Sequence, residues 1–252
     1  MKWISSILKR TRAFQSLKGE VENIRDYIAD PDALTELSTG ARFYMPNRIQ
    51  DEIQRHIALR RNYYESSLLN KVNEFVPHGG SVIDIGANIG NHTVYWAHER
   101  RARVLAFEPV MQTYEILIKN ISVNDLEDRV HCFNCALGAR YGRADIASFD
   151  PKNIGATVIK EQKDVNIEVH TLDGVLAGQA IEHIDLIKID VEGNEGAVLK
   201  GALHTLSSFS PTLMIEIFQE NMQNIQHILR GAGYQKHMFL GTDTYIFRKR
   251  RA

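Results

Sequence analysis

Val82-Ile83-Asp84-Ile85-Gly86-Ala87-Asn88-Ile89-Gly90-Asn91 decides how this chain folds. A short apolar run carries an acid near its end, two glycines follow four positions apart, and a helical pattern begins at once. A strand, a glycine bend and a helix in that order open a βαβ unit, with the bend at the carboxyl edge of a parallel sheet, where ligands sit. Gly86 permits the tight bend and Gly90 lets the helix pack close to the strand. The N–H groups at the helix start are expected to be free and to face the crevice.

Outward from this stretch the alternation continues. The patterning predicts Ser81–Ile85 as a strand, Asn91–Arg101 as a helix, Arg103–Glu108 as a strand, Val110–Ser122 as a helix and Val130–Cys135 as a strand. It resumes with Ile184–Ile189 (strand), Glu195–Leu206 (helix), Thr212–Ile217 (strand) and Gln219–Arg230 (helix). A hairpin, His237–Leu240 with Thr244–Arg248 around Gly241-Thr242-Asp243, closes the pattern. The expected fold class is therefore α/β, a mostly parallel sheet covered on both faces with an antiparallel hairpin at its edge. Residues 143–172 interrupt it with three short strands, Ala144–Phe149, Ala156–Ile159 and Asn166–Thr171, joined by turns at Pro151, Asn153 and Gly155. Such an insertion can shape a pocket. Upstream, Gln50–Val76 reads as one long helix stopped by Pro77-His78-Gly79-Gly80. Residues 1–50, with breaks at Asp30-Pro31, Gly40 and Pro46, read as a helical N-terminal extension to a domain spanning 51–252.

Composition narrows the class. With 252 residues, 44% of them apolar and 24% charged, the chain is long enough for one full core and too ordinary for a disordered or fibrous protein. No uncharged apolar stretch approaches ~20 residues and no apolar leader is readable, so a cytoplasmic location is expected. Cys132 and Cys135 fit a reducing compartment; the pair lacks the second pair of a zinc site, so buried, inert thiols are expected. Five basic residues and no acid occupy positions 1–18, and four more close the chain at 248–251, so the remaining body carries ten more acids than bases. An acidic body argues against nucleic acid as a partner. Trp3, Ile4, Ile7 and Leu8 recur near helical spacing among the first basic residues, so residues 1–18 read either as a capping helix or as a peripheral membrane contact.

Charge also selects the ligand. A dinucleotide site uses G-x-G-x-x-G, whereas here Asn88 stands at the second glycine and the spacing is G-x-x-x-G. Asp84 is a poor neighbour for a phosphate, which disfavours an NAD-dependent oxidoreductase. A carboxylate there suits a cation bearing an amino group, such as the methionine part of S-adenosylmethionine. Glu108, ending the next strand, is placed to take ribose hydroxyls.

These residues, together with Phe107-Glu108-Pro109, Asn134-Cys135-Ala136-Leu137-Gly138, Thr171-Leu172-Asp173 and Ile187-Lys188-Ile189-Asp190-Val191-Glu192-Gly193-Asn194-Glu195, resemble in order and spacing the FkbM family of S-adenosylmethionine-dependent methyltransferases. The resemblance covers about residues 60–240. It implies the class I methyltransferase fold, a Rossmann-like three-layer sandwich with a seven-stranded sheet whose last strand is reversed, and S-adenosyl-L-methionine as cofactor. Asp84, Gly86, Ala87, Asn88, Gly90 and Asn91 would then serve the methionine part, Glu108 the ribose, and Asn134 and Ala136 the neighbourhood of the adenine.

Asp190, Glu192 and Glu195 leave the fourth main strand and Glu216 lies near the end of the fifth, so carboxylates converge beside the first strand. Methyl transfer is an in-line displacement that depends on alignment, and a hydroxyl acceptor also benefits from a base. Asp190 is the first candidate for that base or for the cofactor amine, Glu192 the second, and Glu216 stands behind them. The competing reading is that Asp190 and Glu192 cap the helix that follows. Magnesium on these acids ranks below their direct use, and no metal site is assigned. His92 and His183 are secondary candidates for proton transfer, and Tyr64 and Glu65 either close over the cofactor or pack a helix. The strand end lacks the Asn/Asp-Pro-Pro-aromatic run that grips a flipped base. The expected activity is O-methylation of a hydroxyl on a saccharide, glycolipid or other small metabolite; the alternative from another class is a non-catalytic module that docks through its basic ends.

Overall fold

The computed structural model describes residues 34–148, 158–161 and 167–250. The reading of residues 1–18, the break at Asp30-Pro31 and the turns at Pro151, Asn153 and Gly155 lie outside them. Seven strands form the central sheet: β1 Ser81–Ile85, β2 Arg103–Phe107, β3 Val130–Phe133, β4 Leu186–Ile189, β5 Thr212–Glu216, β6 Tyr234–Gly241 and β7 Thr244–Lys249. Their order is β6-β7-β5-β4-β1-β2-β3. β7 runs antiparallel to β5 and β6, and the other neighbours are parallel. The chain reverses direction in the sheet between β1 and β4, the switch point at which a crevice opens outside the strand ends.

The α-helices among the described residues are α1 Glu52–Arg60, α2 Ser66–Val72, α3 Asn91–Glu99, α4 Met111–Ser122, α5 Leu172–Leu176, α6 Glu195–Lys200, α7 Leu203–Phe209 and α8 Met222–Gly231. Strand alternation sends side chains to two separate cores. Val82, Val104, Leu186 and Met214 join one core with Trp96 of α3 and Leu117 of α4. Ile83, Phe107, Ile187 and Ile215 join the other with Val198 of α6 and Leu229 of α8. A second sheet of Ala136–Leu137, Ile167–His170, Gly142–Ser148 and Val158–Glu161 forms the insertion between β3 and β4.

Three expectations are corrected. Residues 34–50 are not helical: Thr35–Glu36 pairs with Arg42–Phe43 as a hairpin. Phe43 and Met45 enter the first core, and Asn120 of α4 and Asn124 just after it bind the backbone of Tyr44 and Arg42. The long helix over 50–76 is broken at Arg61 and Glu65, both in the left-handed region with φ of 48° and 56°. Between them Asn62–Tyr64 turn, burying Tyr63, whose hydroxyl donates to Glu99 at 3.0 Å. The helix over 195–206 is two helices. Asp173 makes the break by accepting from the N–H groups of His204 and Thr205 at 2.9 and 2.8 Å, which starts α7 anew. The helix Leu172–Leu176 and the short strand Ala136–Leu137 were not anticipated; the other predicted strands and helices differ from the reading at their ends.

Candidate active site

The crevice lies outside the carboxyl ends of β1, β2, β4 and β5 and has a volume of about 300 Å³. Side chains two apart on a strand share a face, so Glu108 continues the face of Ala106, Lys188 and Asp190 that of Leu186, and Glu216 that of Met214. One face of the sheet is thus apolar along its length and charged where the strands end.

The glycine bend is built by sterics. Gly86 has φ of +79°, and a Cβ on it would collide with the Asp190 carbonyl oxygen. Gly90, at φ of +90°, lets Leu117 approach to 2.7 Å of where a Cβ would stand. The N–H groups of the bend itself, residues 86–90, are taken up within the protein. Those of Gly86 and Ala87 both donate to the Phe107 carbonyl at 3.0 Å, and that of Gly90 to Ala87 at 2.9 Å. The Asn88 N–H donates to Glu108 Oε2 at 2.9 Å, and that of Ile89 to the Asn88 side chain at 2.7 Å. All five are spent internally, so the bend offers no cradle for a phosphate.

Glu108 also accepts from the Val110 N–H at 2.9 Å, one backbone donor on each carboxylate oxygen. Each oxygen can accept once more, which matches a pair of hydroxyls. Burial pushes the Glu108 carboxyl up to about 7 against the pull of those N–H groups and of Lys188. Beside it, Phe107, Val110, Ala136 and Leu137 supply the apolar lining a flat heterocycle needs. Phe107 stacks on Phe133 with centroids 4.8 Å apart.

The opposite end is acidic. Glu65, Asp190, Glu192 and Glu216 line it. Burial and then the charge of Asp190 raise Glu192 to about 7 and Glu216 to about 8. Burial also raises Glu65, but His92 and Lys188 outweigh it and leave that carboxyl below its usual range. His92 Nε2 lies 3.4 Å from Glu65 Oε2. Glu65 is held there because Asn91 clamps the preceding residue, accepting from the Tyr64 N–H at 2.9 Å and donating to the Tyr64 carbonyl at 3.0 Å. The break in the long helix is therefore what brings Tyr64 and Glu65 to the crevice.

Ala87, Asn88, Asn91, Ala136 and the carboxylates Glu108, Asp190, Glu192 and Glu216 line the crevice with Gly86. Three residues expected at the ligand do not reach it. Asp84 is fully buried; it accepts from Thr93 Oγ1 at 2.6 Å and pairs with Lys188 at 3.2 Å. Gly90 packs on α4. Asn134 donates to the Glu108 and Pro109 carbonyls at 2.9 and 3.1 Å, fixing the turn after β2. Glu195 takes the helix-start role instead, its Oε1 accepting from the Gly193 N–H at 2.7 Å. His183 is absent from the lining and sits 3.4 Å from Asp185. Both cysteines are free thiols, and burial pushes Cys132 to about 12 and Cys135 to about 11. Among the described residues no cluster of three or more His, Cys, Asp or Glu is placed to hold a metal ion, and no helix is long and apolar enough to cross a membrane.

Sequence reasoning missed Lys188 and Thr242, both on the lining. A lysine inside the otherwise apolar run Leu186-Ile187-Lys188-Ile189 was the available signal, because a cation at the centre of a parallel sheet must have a partner.

The model of the FkbM methyltransferase domain matches residues 84–236. Methyltransferase sdnD of Sordaria araneosa is 30% identical over 159 residues, covering 50% of this chain and 61% of that protein. Hexuronic acid methyltransferase AglP of Haloferax volcanii is 30% identical over 131 residues, covering 50% of this chain and 51% of that protein. The chain thus aligns with about half to three fifths of the length of these curated relatives. The crystal structure of an FkbM methyltransferase from Methylobacillus flagellatus shares the fold, with a TM-score of 0.50 and 22% identity, covering 74% of this chain and 46% of that one. A family match running over more than half of its residues, on a sheet with the class I strand order, means that this chain belongs to the FkbM methyltransferase family.

Proposed function

We propose that the protein transfers the methyl group of S-adenosyl-L-methionine to a hydroxyl of a saccharide, glycolipid or related small metabolite. The observation that carries this reading is the pairing of a glycine bend whose N–H groups 86–90 are all spent with a wall of carboxylates. A pyrophosphate finds no N–H left on the bend, and the cation beside it, Lys188, is already taken by Gly86, Asp84 and Asp190, whereas an amino group and a sulfonium find counter-charge in the carboxylates. An NAD-dependent reaction is disfavoured on the same ground.

In this reading Glu108 holds the ribose diol, and Phe107, Val110, Ala136 and Leu137 flank the adenine. Asp190 and Glu192 face the amino group. The bound cofactor supplies an electrophilic methyl, and the chain's task is alignment and exclusion of water, worth roughly 7–11 kcal/mol. Glu216 and Glu192 have the raised carboxyls a general base near neutral pH needs, and either takes the acceptor's hydroxyl proton as the new C–O bond forms. Asp84 acts through Lys188 and does not touch the ligand. A saccharide acceptor is favoured by the hexuronic acid methyltransferase among the relatives. The basic segment 1–18 is proposed as the contact with a membrane-borne acceptor.

The test is calorimetry with S-adenosylmethionine followed by transfer of its labelled methyl to saccharide and glycolipid fractions. Micromolar binding and label in an alkali-stable ether is the expected outcome. Binding with no transfer across a broad panel would favour a non-catalytic module, and affinity for NAD alone would sink the reading.

A further inference from the structure

Lys188 sits at the centre of the sheet as the Cα partner of Asp84 and is 4% exposed. Burying an ammonium there is costly unless every donor is used and the charge is matched. Its Nζ donates to the Gly86 carbonyl at 2.7 Å and forms ion pairs with Asp84 Oδ1 at 3.2 Å and Asp190 Oδ2 at 3.3 Å. Burial pulls the amine towards neutrality, but Asp84 and Asp190 outweigh it and hold Lys188 above the ordinary lysine value. Asp84 is itself anchored on α3 through Thr93. One ammonium therefore ties together β1, the glycine bend, the exit of β4 and, through Asp84, the start of α3.

We propose that Lys188 is a positioning residue of the crevice: it pins the Gly86 bend and the Asp190 carboxylate to the Asp84 anchor and supplies the fixed positive charge against which the acidic wall is balanced. The choice of adenosyl ligand in the test below rests on the methyl-transfer reading. The charged groups that act on the ammonium or feel it are Asp84 on β1, Glu108 after β2, Asp190 and Glu192 after β4, Glu216 on β5 and Glu65 before α2, with His92 of α3 paired to Glu65. Its charge lowers Glu65, Glu108, Glu192 and Glu216, in each case against a burial effect that raises them. A lysine that merely neutralised Asp84 would leave those four carboxyls unmoved when the pair is replaced by a neutral one.

Lys188→Met alone strands a buried carboxylate, so the decisive variant is Asp84→Asn with Lys188→Met, which keeps an acceptor for Thr93 and buries no charge. Carboxyl-carbon NMR titration of the free protein reads the wall directly. The expected result is a rise of about one unit or more in the Glu192 and Glu216 midpoints. S-adenosylhomocysteine affinity should fall about tenfold or more as the bend loosens. Midpoints within about 0.3 units of the wild type, with unchanged affinity, would overturn the proposal. Should the double variant fail to fold, the wild type decides: the Lys188 Cε resonance stays that of an ammonium through about pH 11, and titration below pH 10 would overturn the fixed charge. If neither protein binds S-adenosylhomocysteine yet the midpoints move, the positioning role stands and the methyl-transfer reading falls.

Discussion

Gly86 carries more of the site than its size suggests. Its carbonyl accepts from Lys188, its N–H reaches across to Phe107, and its missing side chain is what lets the Asp190 carbonyl approach. An alanine there would add a left-handed strain and drive a methyl into backbone that cannot yield. Gly86→Ala should lower stability by about 2–4 kcal/mol in urea denaturation and abolish cofactor binding; a loss under about 0.5 kcal/mol would mean that the bend relaxes more easily than its geometry implies. The need for glycine at this bend was legible in the sequence, because a strand passing into a helix across a tight turn has few alternatives. The role of Asp84 was not. Nothing in the local pattern reveals that a lysine more than 100 positions later, on the neighbouring strand, claims its carboxylate. Register between parallel strands is a tertiary fact, and Asp84 beside Lys188 is a consequence of it.

Among the elements, the seven main strands could be read because fully buried parallel strands write themselves as short apolar runs. The long helix over 50–76 failed because the non-glycine residues Arg61 and Glu65 adopt the left-handed region, where helical periodicity runs on across the break and tertiary bonds such as the Asn91 clamp and Tyr63–Glu99 enforce the turn. The same feature appears at the β6–β7 tip, where Thr242 and Asp243 have φ of 48° and 56°. A two-residue hairpin turn of this hand favours Asn-Gly, and a β-branched threonine is among the worst residues for it. Thr242 lines the crevice next to β5, where Glu216 pairs with Thr244. Thr242→Asn should therefore raise stability by about 1 kcal/mol, a Tm gain of roughly 2–4 °C, while acceptor KM rises and cofactor affinity holds. A variant no more stable than the wild type would show that the turn carries no strain, and an unmoved KM would show that the tip does not meet the acceptor.

Over the whole molecule, the acidic crevice couples stability, pH and ligand charge. Six carboxylates line it against Lys188 and His92. Burial holds Glu108 and Glu192 at about 7 and Glu216 at about 8, above their value in the unfolded chain. A carboxyl raised by folding favours the folded state below the unfolded value, near pH 4.5, and that contribution is lost as pH climbs through the folded values. The free protein should accordingly lose stability from these three groups between about pH 5 and 8, with Lys188 constant across that window; Glu65, lowered by folding, contributes fully above about pH 4.5 and loses that contribution only in acid. A bound cation reverses the sign, because each carboxylate that ionises then gains an attractive partner. S-adenosylmethionine and S-adenosylhomocysteine differ by one methyl and one positive charge, while their shared amino and carboxyl groups cancel in a ratio of affinities. That ratio should move in favour of S-adenosylmethionine by about five- to tenfold between pH 6 and 9, and Glu216→Gln should flatten the rise. Calorimetric titration of both ligands at three pH values measures it. A ratio constant with pH in the wild type would mean that the raised carboxyls do not face the sulfonium, which would leave them to the acceptor and move the base from the cofactor side of the crevice to its mouth.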